Sequence, residues 1–323
     1  MMALVLTALV AGAASALMFV SFVSGVPIAL VLFYLSPLPL LVVAIGWGPF
    51  CASLGGIAAA IGLGAIFGLP YCLAFAVAVA LPAWWLGHLV LLGRHSTGTG
   101  LPADMAAPAE PEIEWYPVGR ILLWIAAIAA LTTIAALLTL GSSAEDITGA
   151  LRHGFQRLLE ATDPQSSDKI NQLIDVVVAI APAGTTIISM ITLTFNLWLS
   201  TKVTATSGRL RRPWPDLMST QLPPMTLAAL CIAVAFCFAS GLPAILAQIV
   251  TASLTMAYAL TGFAVLHALT LKLKSRAFWL GSTYAIVIVL GWPVIAMAIL
   301  GLADAVFGIR KYFPRNPPPL PTS

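Results

Sequence analysis

Charged residues are scarce in this sequence. They make up 8% of its 323 residues, whereas an ordinary soluble domain has about 25%. Hydrophobic residues account for 60% of the chain, and the mean hydropathy is +1.00. Because so few charges cannot cover a surface that faces water, we expect lipid to be the solvent for most of the chain. The composition therefore excludes an ordinary soluble domain.

The apolar runs lack the alternation, over segments of about 10 residues, that marks the strands of a membrane barrel. They are long, unbroken and rich in Ala and Leu. A chain in lipid must pair every backbone polar group internally, and a helix does so within one segment. The sequence therefore predicts an all-α fold, a polytopic transmembrane helical bundle of about 8–10 membrane segments with one interfacial amphipathic helix.

Motifs for catalysis and for cofactors are missing as well. The sequence contains no P-loop, nucleophile elbow or zincin motif. Its four cysteines lie in apolar runs without CxxC spacing, and its four histidines are scattered. No basic arm with interleaved aromatic residues is present. We therefore expect neither an enzyme, nor a metal or cofactor site, nor a nucleic-acid partner.

Glycine and proline residues divide the N-terminal segment, residues 1–92, into four spans. Their predicted bounds are about 2–24, 27–45, 49–66 and 70–92. Within the second span, Ser36-Pro37-Leu38-Pro39 removes two backbone donors, so we expect a bend or a break there. Residues 93–118 are rich in Gly, Pro and Ala and are predicted to form a cytoplasmic loop.

The C-terminal multi-span segment, residues 119–309, contains an amphipathic helix at 144–161. Ile147 and Phe155 lie on its apolar face and Arg152 on its polar face, so we expect this helix in the outer membrane interface. The other predicted segments are about 118–140, 163–202, 222–240, 243–271 and a hairpin at 277–309 that turns at Gly291-Trp292-Pro293. The last residues, 310–323, form a Pro-rich basic tail.

The positions of the basic residues predict the orientation. The loops 202–212 and 272–276 hold seven Lys and Arg residues and lie on the same side, because two spans separate them. Short loops rich in Lys and Arg stay in the cytoplasm. Counting spans from these loops predicts a multi-pass protein of the bacterial inner membrane with a cytoplasmic N-terminus and C-terminus.

Two rows of residues, mostly polar, recur at helical spacing within apolar helices. They are Asn171, Asp175, Pro182, Thr185, Ser189, Thr192 and Asn196 on the sixth helix, and Gln248, Thr251, Thr255 and Tyr258 on the eighth. Lipid gives no reason to point polar residues outward, so both rows are predicted to face the bundle interior. One interpretation is a packing seam of small and hydroxylated residues. The other is a cavity that binds a small solute, which the bulkier amides of Asn196 and Gln248 favour.

Two acidic residues are candidate functional acids, because ionisable groups at membrane depth are costly. They are Asp175 and Asp304. Each has a plainer alternative. Asp175 lies among the outer headgroups if its helix ends near Lys202, and Asp304 is close enough in sequence to pair with Arg310.

Several motifs together resemble a known family. They are Ser36-Pro37-Leu38-Pro39, the Asn196 helix followed by Arg212-Pro213-Trp214-Pro215, and Gly301-Leu302-Ala303-Asp304 with Gly308-Ile309-Arg310-Lys311. In these motifs the chain resembles the YybS-like uncharacterised bacterial membrane proteins. The resemblance extends over most of the chain. That family looks distantly similar to the substrate-binding components of energy-coupling-factor vitamin transporters. The resemblance implies a solute-binding membrane subunit that works with a separate ATPase module.

Two functional hypotheses remain open from the sequence. The first is a transporter-like inner-membrane protein that binds a small solute between the sixth and eighth helices. Any ATP coupling would then come from a partner, since the sequence has no nucleotide motif. The alternative is a non-transporting membrane scaffold in envelope or cell-shape assembly, which acts through its basic loops. The lipid bilayer is the partner in both.

The orientation can be tested by cysteine labelling. In a background without the four native cysteines, Ser142→Cys should react with an impermeant thiol reagent added outside intact cells, and Ser207→Cys should not. The expected contrast follows from the charge bias of the loops. Labelling of Ser207→Cys alone would reverse the orientation of the whole chain.

Overall fold

The computed structural model describes residues 1–95, 113–160 and 167–312. These residues form the all-α polytopic fold that the sequence predicts. Seven helices among them are long and apolar enough to cross a membrane. Their bounds are Met2–Ser24, Pro27–Trp47, Pro49–Phe67, Leu69–Leu91, Val118–Leu138, Asn171–Thr206 and Leu242–Leu269. Three further apolar helices are shorter, at Met225–Phe236, Arg276–Leu290 and Val294–Phe307.

The chain divides into two compact units with interleaved segments. Unit 1 comprises Met1–Ala135 and Ile188–Pro215, and unit 2 comprises Ala136–Ile187 and Asp216–Ser323. The helices of unit 1 are α1 (Met2–Val20), α2 (Pro27–Tyr34), α3 (Leu38–Trp47), α4 (Pro49–Phe67), α5 (Leu69–Phe75), α6 (Leu81–Leu91) and most of α7 (Val118–Leu138). Those of unit 2 are α8 (Ala144–Glu160), α10 (Met225–Phe236), α11 (Leu242–Leu269), α12 (Arg276–Leu290) and α13 (Val294–Phe307). The long helix α9 (Ser167–Thr206) begins in unit 2 and ends in unit 1.

The second span is broken, as the sequence predicts. Helix α2 ends at Tyr34 and α3 begins at Leu38. Pro37 and Pro39 lack the N–H groups that would bond the carbonyls of Phe33 and Leu35 in a continuous helix. Instead, Ser36 N–H donates to Phe33 O at 3.1 Å, and Leu38 N–H donates to Leu35 O at 3.0 Å. This turn leaves the carbonyl of Tyr34 without its usual partner in the chain.

Close helix packing in unit 1 depends on small residues. A β-carbon at Gly12 of α1 would overlap the carbonyl oxygen of Gly55 in α4, and one at Gly55 would overlap the carbonyl of Ala8. In the same way, a β-carbon at Gly87 of α6 would overlap the side chain of Ala44 in α3. Such small-residue contacts let helices approach in lipid, where the hydrophobic effect does not drive them together.

Two predictions about element lengths need correction. The predicted span at 222–240 is wrong in length, because its helix covers only Met225–Phe236, 12 residues. At 1.5 Å per residue this is about 18 Å, against a hydrocarbon core of about 30 Å. Two prolines, Pro223 and Pro224, precede the helix, and Gly241 turns the chain after it with φ 73°. The sixth helix runs four residues beyond the predicted Lys202, to Thr206; its predicted start at 163 lies outside the described residues.

Other boundaries agree with the sequence. The stretch 277–309 splits as predicted, since α12 ends at Leu290 and α13 begins at Val294, with Gly291 at φ 72° between them. Helix α8 begins one turn after Gly141 and ends at Glu160. Of the predicted loop 93–118, the described ends pair as two short antiparallel strands, β1 (Gly93–His95) and β2 (Ile113–Trp115), which were not predicted from the sequence. The predicted tail lies outside the described residues beyond Tyr312.

Unit 2 is organised around the crossing of α11 and α13. A β-carbon at Gly262 would overlap the carbonyl oxygen of Met297, and one at Gly301 would overlap that of Tyr258. Each helix therefore places a glycine against the backbone of the other. Helix α12, by contrast, has no buried residue, and apolar side chains such as Phe278, Ile288 and Val289 are exposed.

We predict that Gly301→Ala destabilises the protein by about 1–3 kcal/mol, because the added methyl group overpacks the α11–α13 crossing. Gly281→Ala is the matched control, since a β-carbon at Gly281 of α12 would meet no atom within 4 Å. Alanine there should leave stability unchanged or raise it slightly through helix propensity. Unfolding in detergent, followed by circular dichroism, measures both. Equal stability of the two variants would contradict the close crossing.

Candidate functional site

The two predicted rows of polar residues belong largely to different units. Ser189, Thr192 and Asn196 lie in the part of α9 that belongs to unit 1. Gln248, Thr251, Thr255 and Tyr258 lie on α11 in unit 2. The hydrogen bonds of each group described below are made with residues of its own unit.

Asn196 is the best-defined polar group of unit 1. Its side chain is completely buried, and its Nδ2 donates to the carbonyl of Tyr34 at 2.9 Å and to that of Thr192 at 2.8 Å. The Tyr34 carbonyl is the one left over by the break in the second span, so Asn196 replaces the missing backbone donor. The Oδ1 atom of Asn196 is buried and has no hydrogen-bond partner among the described residues.

The rest of the α9 row is only partly turned inward. Ser189 and Thr192 are half-buried, whereas Thr185, Asn171 and Asp175 are exposed. Pro182 and Asn196 of the row are buried, and the buried face also contains three hydroxyl residues that were not predicted from the sequence. These are Thr186, Ser200 and Thr204, each fully buried. Their hydroxyls donate to carbonyls one turn earlier, at 2.8 to 2.9 Å, which satisfies them within the helix.

In unit 2 the row on α11 makes side-chain contacts with α10 and the turn after it. Tyr258 is 1% exposed, and its hydroxyl shares a hydrogen bond of 2.8 Å with Thr226 Oγ1 in α10. The hydroxyl of Thr251 lies 3.4 Å from Cys237 Sγ. Gln248 and Thr255 are half-buried. Two of the four predicted residues therefore already have partners inside the protein.

The two candidate acids both form ion pairs. Asp304 is 5% exposed. Its Oδ2 accepts hydrogen bonds from the Arg310 side chain, from Nε at 2.9 Å and from a terminal guanidinium nitrogen at 2.6 Å. Its Oδ1 accepts from the backbone N–H of Arg310 at 3.0 Å. The guanidinium also donates to Met218 O at 2.7 Å, which ties the end of α13 to the 217–219 turn. Asp175 pairs with Arg152 of α8, both about half-exposed. The plainer alternative for Asp304, pairing with Arg310, is what the structure has.

No group of three or more His, Cys, Asp or Glu residues in the described part of the chain could hold a metal ion. What the described residues provide instead is a set of helices with buried amide, hydroxyl and carbonyl groups. Together with the seven span-length helices, these features define the chain as a polytopic α-helical membrane protein.

The particular family follows from a comparison with family models. The chain belongs to the family described as "Predicted membrane protein (DUF2232)", whose model matches residues 13–305. The match includes the broken second span, Asn196 and the α11–α13 crossing. No curated protein and no solved structure matches the chain.

The Asp304–Arg310 pair gives a test of structural importance. Asp304→Ala leaves a nearly buried Arg310 without its counter-charge, so we expect a loss of about 3–5 kcal/mol in unfolding free energy. The control is Glu114→Ala, which removes the exposed pair with Arg94 (2.7 Å) and should cost at most about 1 kcal/mol. Thermal unfolding in detergent measures both. The double variant Asp304→Leu, Arg310→Met should recover much of the loss, and an additive double effect would contradict direct coupling.

Proposed function

We propose that this chain is the membrane subunit of a transporter in the bacterial inner membrane, and that it binds a small solute beside Asn196 at the break in the second span. The observation that carries the proposal is the Oδ1 atom of Asn196, which is buried without a partner among the described residues. Leaving such an acceptor unpaired costs about 1–3 kcal/mol. A solute with a hydroxyl or N–H donor would satisfy it.

The orientation of the Asn196 amide supports an acceptor role for Oδ1. Both hydrogens of Nδ2 are engaged, one with Tyr34 O and one with Thr192 O. A flipped amide would place its oxygen against two carbonyl oxygens, so the side chain has one favourable orientation. Oδ1 is therefore held ready for a donor, and the entropy cost of orienting it has already been met.

The surroundings of the break support a small-molecule site. Phe33, one residue before Tyr34, packs against Phe19 and Phe22 with ring centroids 5.5 and 5.4 Å apart. Phe19 in turn packs against Phe75 at 5.4 Å. Ligand sites are typically apolar and aromatic with a few placed polar groups. Discontinuous helices, whose freed backbone groups meet the substrate, are typical of transporter sites.

The resemblance described from the sequence adds a partner to this proposal. Substrate-binding components of energy-coupling-factor transporters depend on a separate ATPase module, and this chain has no nucleotide motif of its own. We therefore propose that any energy comes from such a module, that the chain is not itself an enzyme, and that both termini lie in the cytoplasm. The second row, with Gln248 and Thr255 half-buried, is a further candidate for solute contacts.

The alternative is the membrane scaffold, and one observation favours it. The Nδ2 of Asn196 and the hydroxyl of Tyr258 are paired inside the protein, as residues in packing seams are. On this hypothesis the polar rows only hold helices together, and the basic loops contact partners in envelope or cell-shape assembly.

The experiment that separates the two uses Asn196→Leu. Purified protein is screened by thermal shift against water-soluble vitamins and metabolites, and any stabilising compound is titrated against the variant. The transporter proposal expects the compound-induced shift to disappear. The unliganded variant should be destabilised by about 1–3 kcal/mol, because it leaves the Tyr34 carbonyl without its donor. The compound-induced shift is therefore measured from each variant's own unliganded unfolding temperature.

Thr194→Val is the matched control, because the Thr194 hydroxyl donates within α9, to Met190 O at 2.8 Å. Its response to the compound should equal that of the wild type. The transporter proposal would be abandoned if a broad panel stabilises nothing and Asn196→Leu complements a deletion strain. The scaffold would then be the better hypothesis.

A further inference from the structure

The C-terminal end of α9 is closed by a glycine turn that positions a basic residue. Gly208 has φ 68°, its N–H donates to Ala205 O at 3.1 Å, and Arg209 N–H donates to Thr204 O at 2.9 Å. This pair of bonds is the Schellman arrangement that ends many helices. It brings Arg209 out at the end of the helix, where its guanidinium carbon lies 4.2 Å from the centroid of the Trp47 ring.

The chain that follows folds back toward α9. Trp214 lies with its ring centroid 4.8 Å from Nζ of Lys202, which is on the last turns of the helix. The two cation–π contacts therefore hold the segment 209–214 between Trp47 and Lys202, all within unit 1. We call Lys202, Arg209, Arg212, Trp47 and Trp214 the basic–aromatic cluster.

Arg212 is the unusual member of this cluster. It retains only 8% of its surface, and it makes no hydrogen bond or ion pair with any residue that the structure describes. Burial lowers the pKa of its guanidinium, but arginine stays protonated at neutral pH. Residues 200–215 contain four basic residues and no acidic one, and the next residue, Asp216, is the first of a segment of unit 2. The guanidinium nitrogens are not fully enclosed, so this largely buried charge is still open to an anion from outside the chain.

We propose that Lys202, Arg209 and Arg212 bind a phosphate group at the membrane surface. Guanidinium groups suit phosphate because their fork of N–H donors matches its oxygens, while lysine adds a point charge. The cluster also lies at the end of a span-length helix, beside two tryptophans, which is where phospholipid headgroups lie. The phosphate of an anionic phospholipid and a soluble phosphate both offer this chemistry, and they can be told apart experimentally.

The test uses the full chain, purified in an uncharged detergent and titrated with phosphatidylglycerol. Native mass spectrometry measures bound lipid, and thermal unfolding measures stabilisation. Arg212→Gln should weaken lipid binding about tenfold or more, because it removes charge-assisted hydrogen bonds to the phosphate. Arg211→Gln is the matched control, since it removes the same charge from the adjacent but exposed arginine. Its affinity should stay within about twofold of the wild type, because Arg211 is exposed and is not part of the basic–aromatic cluster.

A second readout separates a binding role from a folding role. Without lipid, Arg212→Gln should be about as stable as the wild type, since it removes a charge that makes no hydrogen bond or ion pair with the described residues. With lipid, only the wild type should gain stability. If Arg212→Gln does not stay monodisperse, Arg209→Gln takes its place and should also weaken binding relative to Arg211→Gln.

The remaining measurements distinguish a phospholipid headgroup from a soluble phosphate as the source of the phosphate group. A shift with inorganic phosphate that needs Arg212, with no effect of phosphatidylglycerol, would support the site and assign it to a soluble phosphate. Equal weakening by Arg211→Gln and Arg212→Gln would overturn the proposal in favour of diffuse surface charge. Equal binding of phosphatidylcholine, or no binding of either probe, would overturn it as well.

Discussion

The hydrogen-bonding requirement of a chain in lipid governs this structure. Every backbone carbonyl at membrane depth needs a donor, because no water is present to supply one. Helices meet the requirement by themselves except where the helix is interrupted and backbone donors are missing or redirected, as Leu38 N–H is to Leu35 O. At the break between α2 and α3 the Tyr34 carbonyl receives its hydrogen bond from Asn196. The irregular segment and the buried amide therefore form one feature, and the function we propose depends on the amide oxygen that this arrangement leaves unpaired.

Structural features that depend on the chemistry of a single residue type could be predicted from the sequence. Proline has no N–H, and two prolines at Ser36-Pro37-Leu38-Pro39 and a Gly-Pro pair at Gly291-Trp292-Pro293 predicted the two interruptions, whereas the single Pro182 lies inside the continuous helix α9. The partner of Asn196 was not predictable, because it lies 162 residues away and a backbone carbonyl leaves no trace in the sequence. The burial of Arg212 was equally hidden, since a loop of basic residues has the same composition whether one of them is enclosed or not.

The errors have physical reasons too. Hydropathy alone extended the span at 222–240, although Pro223 and Pro224 delay the start of the helix and Gly241 follows soon after its end. On α9, spacings of three and four residues define a face only to within about one residue, or 100° of rotation. The structure accordingly buries Thr186 in place of Thr185. The crossing of α11 and α13 shows a related limit, because glycines at 262 and 301 have meaning only once the two helices are paired.

The interleaving of the two units along the chain determines the order in which their parts are synthesised. Unit 1 takes in Ile188–Pro215 as well as the N-terminal helices, so it is incomplete until unit 2 has begun to emerge. Asn196 is translated 162 residues after Tyr34. At 5–20 residues per second this delay is on the order of 10–30 s. During that interval the translated part of the chain does not yet contain the donor that the Tyr34 carbonyl receives in the folded protein.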